Sequence, residues 1–195
     1  APEHPFPAAL QDAVAAFRWL LDRGWFGEQI IVAGDSAGGG LAMALTMYLR
    51  DHDMPLPCGV IAMSPWTDVT ASGESYTTNY EKDPLFGNTR ESLIYLNDYA
   101  GDHNPMDPYI SPLFGDFRGF PPMLIQVGSL EMLLSDSVSV AAKAREQGIR
   151  VRLSIYEGMF HVFQMAYLNI PESKKAWAEV GKFIDVIRND ERVSS

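Results

Sequence analysis

Little in this chain can cross-link it. Of its 195 residues only one is cysteine, Cys58, which excludes an intrachain disulfide and a cysteine-ligated zinc cluster. Positive charge is scarce too. Lys and Arg number 15 against 25 Asp and Glu, a formal net charge of −10. Each phosphate contact needs a cation to displace counterions, so nucleic acid and anionic membrane are poor partners for so acidic a chain. No run approaches the roughly 18 apolar residues of a membrane span. The opening residues, Ala1-Pro2-Glu3-His4-Pro5-Phe6-Pro7, hold neither an initiator methionine nor the basic-then-apolar pattern of a signal peptide. These features predict a cytoplasmic protein whose natural start lies upstream of Ala1.

What is present is ordinary globular material. Hydrophobic residues make up 47% and charged residues 21%, which rules out disordered and collagen-like chains. The length fits a single domain over 1–195. From Ala8, Leu10, Val14, Phe17, Trp19, Leu20 and Leu21 recur near a 3.6-residue period and predict a helix ending at Gly24. Short apolar runs at 29–33, 58–63 and 123–127 read as buried parallel strands, and the alternating 150–156 as a strand nearer a sheet edge. Helices are expected over 41–50, 90–100, from Ser135 or Asp136 to Gln147, and over 171–187. Alternating strands and helices imply βαβ units and a mainly parallel sheet, an α/β fold. The long loop over 64–89 exceeds usual connections, which makes it a functional candidate.

The strongest chemical signal is Gly34-Asp35-Ser36-Ala37-Gly38, a G-x-S-x-G between an expected strand and an expected helix. That context is the one a nucleophile elbow requires. A serine in so sharp a turn adopts strained angles, and the glycines two positions away on either side let strand and helix approach it. The Ala37 N–H then lies at a helix N-terminus, where it can stabilise an oxyanion. A phosphate-binding loop would need Gly-Lys-Ser/Thr, and no lysine is present in this segment.

Such a serine needs a base. Of His4, His52, His103 and His161, only His161 follows the last expected strand, whose end lies at the same sheet edge as Ser36; the others read as loop histidines. The histidine needs an orienting carboxylate. Glu131 and Asp136 both lie in the loop after the third strand. Glu131 is favoured, since it comes straight off the strand end, while Asp136 suits a helix N-cap. The order Ser36, Glu131, His161 is that of the α/β hydrolases and excludes the chymotrypsin and subtilisin orders. Asp35, Trp66, Phe160 and Val162 are candidates for the substrate pocket.

Four segments carry a family resemblance: Ala1–Ala9 (A-P-E-H-P-F-P-A-A), the elbow Gly34–Gly40, Asp107–Leu113 (D-P-Y-I-S-P-L) and Glu157–Phe163 (E-G-M-F-H-V-F). Together they resemble the bacterial hormone-sensitive-lipase-like esterases of the α/β-hydrolase fold. The resemblance implies hydrolysis of short- to medium-chain carboxylic esters as the small-molecule substrate, no metal, no cofactor, and self-association into homo-oligomers. Glu131 with Leu133 fits the branch using Glu rather than Asp. Asp107 and Ser111 are expected to pin a loop. The sequence departs from the family in lacking its H-G-G-G segment, which carries most oxyanion donors, together with the first strands and the N-terminal cap. A truncated chain with weakened activity is therefore expected. Rival readings are a catalytically inactive remnant and a binding protein of the gibberellin-receptor kind. Those receptors lack the catalytic histidine, and His161 stands in its place here.

Overall fold

A computed structural model describes residues 1–87, 98–166 and 169–193. Its centre is a four-stranded, all-parallel sheet in the order β1-β2-β3-β4, with strands Ile31–Asp35, Gly59–Met63, Met123–Gly128 and Val151–Tyr156. Helices α1 (Ala8–Asp22), α2 (Ala37–Asp51), the short α3 (Ser75–Thr78), α4 (Leu134–Glu146) and α5 (Pro171–Val193) complete the α/β architecture.

The sheet is covered on both faces, which explains the unbroken apolar character of its inner strands. Strand side chains alternate. Val60, Ala62, Met123 and Ile125 point to one face and pack with Met43 and Met47 of α2 and Val140, Ala141 and Ala144 of α4. Ile61, Met63 and Leu124 point to the other and meet Val180, Phe183 and Ile184 of α5. Burying a side chain such as Met43 or Leu124 contributes about 1.5–3 kcal/mol. Helix α1 lays Leu10, Val14 and Phe17 against Leu45 and Leu49 of α2. Trp19, counted with that apolar face, instead lies 54% exposed with the Arg23 guanidinium 4.1 Å above its ring.

Two expectations shift. The strand read at 29–33 runs over Ile31–Asp35, preceded by a 3-10 turn at Gly27–Gln29. It is only partly buried: among the described residues β1 is the outermost strand, and Ala33 and Asp35 are exposed. Among the described residues only β2 pairs with it, so burial by a second neighbouring strand is missing. Helix α2 begins four residues earlier than expected, directly after Ser36, because the glycines at 38–40 take helical geometry. The helix expected over 90–100 falls mostly outside the described residues; 98–100 form a turn.

All four strands point the same way, so the segments after Asp35, Met63, Gly128 and Tyr156 emerge at one edge of the sheet. That edge is where sites form in open parallel sheets.

Candidate active site

Ser36 sits between β1 and α2 with φ 54° and ψ −124°, a conformation costing a non-glycine residue about 1–3 kcal/mol. Its surroundings enforce it. The Ser36 N–H donates to the Met63 carbonyl at 2.9 Å, and its own carbonyl accepts from the N–H groups of Gly39, Gly40 and Trp66. The close approach depends on particular glycines. A Cβ on Gly34 would lie 2.2 Å from the Gly38 carbonyl oxygen, and one on Gly40 would lie 2.1 Å from the Trp66 carbonyl oxygen. Gly38 departs from expectation: a Cβ there meets nothing within 4 Å, so the crowded positions on the helix side are Gly39 and Gly40.

The three residues singled out as a triad come together. His161 Nε2 lies 2.9 Å from Ser36 Oγ, and His161 Nδ1 lies 3.0 Å from Glu131 Oε2. Glu131 is wholly buried and His161 is 6% exposed. Burying a carboxylate is costly unless it is paired and hydrogen-bonded. Glu131 is both: Oε1 accepts the Ser64 hydroxyl at 2.7 Å and the Gly128 N–H at 2.5 Å. With a proton on Nδ1, the imidazole donates to Glu131 and leaves Nε2 able to accept from Ser36. Ala37 is the first residue of α2, so its N–H has no intrahelical acceptor and is free to meet developing negative charge.

The remaining histidines lie elsewhere. His52 stacks on Tyr48, with its Nδ1 2.8 Å from the Tyr48 carbonyl oxygen. His103 packs against Phe6 and has Nδ1 3.2 Å from the Ala100 carbonyl oxygen. His4 is exposed.

Asp136 is not the helix cap expected of it. The N-cap of α4 is Leu133, and Asp136 lies in the first turn, where its Oδ2 accepts the N–H groups of Thr67 and Asp68 at 2.7 and 2.9 Å. It ties the loop after β2 to α4. Burial pushes its carboxyl up to about 7, against the opposing pull of those backbone donors. Burial, helped by the Asp136 charge, likewise pushes the Tyr76 phenol well above its ordinary value.

Beside Ala37 and Gly38 lies a cavity of about 250 Å³, walled largely by apolar side chains including Leu41, Trp66, Val69 and Ile110. Of the four residues put forward for the pocket, only Trp66 lines it. Asp35 is exposed, and Phe160 and Val162 are half-buried beside His161; the cavity is instead walled by α1, α2, the segment after β2 and residues 99–110. Asp107 and Ser111 pin their loop as anticipated, with the Asp107 carboxylate accepting the Tyr109 N–H and Ser111 Oγ accepting the Val69 N–H at 3.0 Å.

A family model described as alpha/beta hydrolase fold matches residues 1–165. The chain belongs to the α/β-hydrolase family. Among α/β hydrolases it is 40% identical over 183 residues to an acetyl-hydrolase of Streptomyces hygroscopicus and 39% identical to an esterase of Acinetobacter venetianus, covering 94% of this chain in each case. A solved esterase from the bacterial hormone-sensitive lipase family superposes with a TM-score of 0.89 at 44% identity, over 94% of this chain and 61% of that one. The resemblance read from the four sequence segments therefore holds. The chain spans about three fifths of the curated relatives' length, 61% and 60%.

The site also holds residues that motif reading passed over. Ser64 reaches Glu131, and Phe86 stands against His161. Asp83 accepts the Met132 N–H at 2.8 Å, and Asn79 Nδ2 donates to the Glu131 carbonyl at 2.9 Å. All four lie in the long loop over 64–89, whose length was their one signal in the sequence.

Among the described residues no cluster of His, Cys, Asp or Glu could hold a metal ion, and no helix is long and apolar enough to cross a membrane.

Proposed function

We propose that this α/β hydrolase cleaves short- to medium-chain carboxylic esters through Ser36, His161 and Glu131. One observation carries the reading: Ser36 Oγ is 2.9 Å from an imidazole whose far nitrogen is 3.0 Å from a buried carboxylate. His161 Nε2 takes the hydroxyl proton as Ser36 Oγ bonds to the ester carbonyl carbon. Glu131 holds the imidazole tautomer and balances the imidazolium charge without itself being protonated. The carbonyl oxygen, now negative, faces the Ala37 N–H. Collapse breaks the C–O bond to the alcohol, which leaves with the proton from His161, and an acyl-Ser36 remains. Water, deprotonated by the same imidazole, releases the acid and returns the proton to Ser36.

The apolar cavity beside Ala37 suits a small acyl or alcohol group. The Ala37 N–H is an oxyanion donor in this reading, and loss of one such donor slows turnover by about 10²–10³-fold. Association with a second copy belongs to the same reading, supported by exposed Ile155 on β4 and Val186 on α5; sedimentation velocity tests it.

The test of the chemistry is hydrolysis of p-nitrophenyl acetate and butyrate, with Ser36→Ala as control. Turnover above that control, together with fluorophosphonate labelling of Ser36, supports the reading. Equal rates in the two proteins and an unlabelled Ser36 overturn it.

A further inference from the structure

The short segment Met63–Trp66, where the chain leaves β2, touches two of the three residues assigned to the reaction, Ser36 and Glu131, and the neighbour of the third. The Met63 carbonyl accepts the Ser36 N–H, and the Trp66 N–H donates to the Ser36 carbonyl. Between them, Ser64 reaches Glu131 and the residue that follows His161. Its hydroxyl donates to Glu131 Oε1 at 2.7 Å and accepts the Val162 N–H, adjacent to His161, at 3.1 Å.

A serine hydroxyl has one proton to give and lone pairs to accept with. Here the proton goes to the carboxylate and a lone pair takes the backbone of the histidine loop. Ser64 is wholly buried, and its bond to Glu131 lies out of contact with bulk water. Its own N–H is held by the Gln126 carbonyl at 2.6 Å, which fixes the hydroxyl to the sheet rather than to a loop. Backbone conformation points the same way. Ser64 has φ 48° and Val162 has φ 52°, two non-glycine residues in the left-handed region joined by one hydrogen bond. Such conformations persist only where the surroundings over-determine them.

We propose that Ser64 is a positioning residue for this reaction: its hydroxyl couples the orientation of the Glu131 carboxylate to the path of the chain that carries His161. The proposal rests on the esterase reading above. Ser64 touches neither substrate nor the reacting atoms. It acts by holding Glu131 Oε1, so that Oε2 stays aimed at His161 Nδ1. A hydrogen bond to a buried charge is among the stronger kinds, and one lost in the transition state lowers turnover by about tenfold or more.

The experiment compares the chain with Ser64→Ala and Ser64→Gly. The glycine variant removes the hydroxyl while relieving the positive φ, so it provides a folded protein if alanine at that position does not. Two readouts are taken. On p-nitrophenyl butyrate, kcat falls at least about tenfold while KM stays within about twofold, since no substrate contact is lost. In proton NMR, the low-field His161 Nδ1–H resonance, assigned by its absence from His161→Gln, broadens or disappears. An unchanged kcat with the resonance intact overturns the proposal, as does a rise in KM with the resonance intact, which would mark a packing effect. If the unsubstituted chain shows no turnover above Ser36→Ala, the esterase reading fails and the resonance alone decides: its loss in the Ser64 variants supports the coupling, and its retention overturns it.

Discussion

The Phe86 ring stands edge-on to the His161 imidazole, with ring centroids 4.6 Å apart and an interplanar angle of 63°. Phe86 belongs to the long loop after β2, and Asp83 secures it there, accepting the N–H groups of Leu85 and Phe86 on one oxygen and the Met132 N–H on the other. The same carboxylate therefore holds both the aromatic wall of the imidazole and the residue following Glu131. Phe86→Ala removes a contact worth about 0.5–1.5 kcal/mol and admits water to the ring. The expected result is a kcat/KM on p-nitrophenyl butyrate about threefold to tenfold lower. An unchanged rate would mean the ring merely fills space.

Glu131→Gln keeps the shape of the acid but loses its charge and its hold on the tautomer. Turnover should drop by about 10³–10⁴-fold, the scale seen when such an acid becomes an amide. Asp136→Asn should retain turnover to within a few-fold, since its partners are the Thr67 and Asp68 backbone and an amide oxygen still accepts from both. Steady-state kinetics on the two variants separates the carboxylates. The reverse ranking would reassign the acid to Asp136.

Asp136 gives stability a pH dependence of definite sign. In the folded chain its carboxyl keeps its proton up to about 7, against an ordinary value of 3.8. Between those values the folded state binds more protons than the unfolded one. Stability therefore falls as pH rises through that window, by at most about 1.4 kcal/mol per pH unit for one proton. Asp136→Asn lacks this slope. Urea unfolding at pH 5 and pH 7 should show the variant gaining on the parent as pH rises; parallel behaviour would contradict it.

The elbow glycines should separate sharply. In Gly34→Ala the new Cβ would be forced to 2.2 Å from a backbone oxygen, and a loss of at least about 2 kcal/mol is expected, in the range of overpacking. In Gly38→Ala the Cβ enters open space within the first turn of α2, and alanine there should be neutral or stabilising by up to about 1 kcal/mol. Chemical denaturation of both variants checks the contrast.

How far the sequence could be read depends on the range of the physics involved. The elbow was legible because its demands are local: Gly34, Ser36 and the helix start lie within a few residues. The approach of His161 and Glu131 to Ser36 was legible from chain order and from following strands, which in a parallel sheet all end at one edge. Burial of β1 was misjudged, because Ile31 and Val32 look the same in the outermost strand of the described sheet as in a central one, and only the neighbours differ. The role of Asp136 was missed because a cap is a local feature, whereas its real partners, Thr67 and Asp68, lie on another loop. Phe160 and Val162 flank the histidine in sequence but not the cavity in space, where residues from α1 and 99–110 form the wall. Side chains in contact across loops leave no spacing to count.

The bonds that build the site span long stretches of chain: Ser36 to His161 is 125 residues, Ser64 to Val162 is 98 and Ser64 to Glu131 is 67. Closing such loops costs entropy before any contact is gained. The site is thus among the last things a refolding chain can assemble, since β1 and β4, which deliver its two ends, lie at opposite margins of the sheet. Far-UV circular dichroism should recover as the helices form, with reactivity of Ser36 toward a fluorophosphonate lagging behind it. Covalent labelling of Ser36 would then report completion of the sheet as much as chemistry.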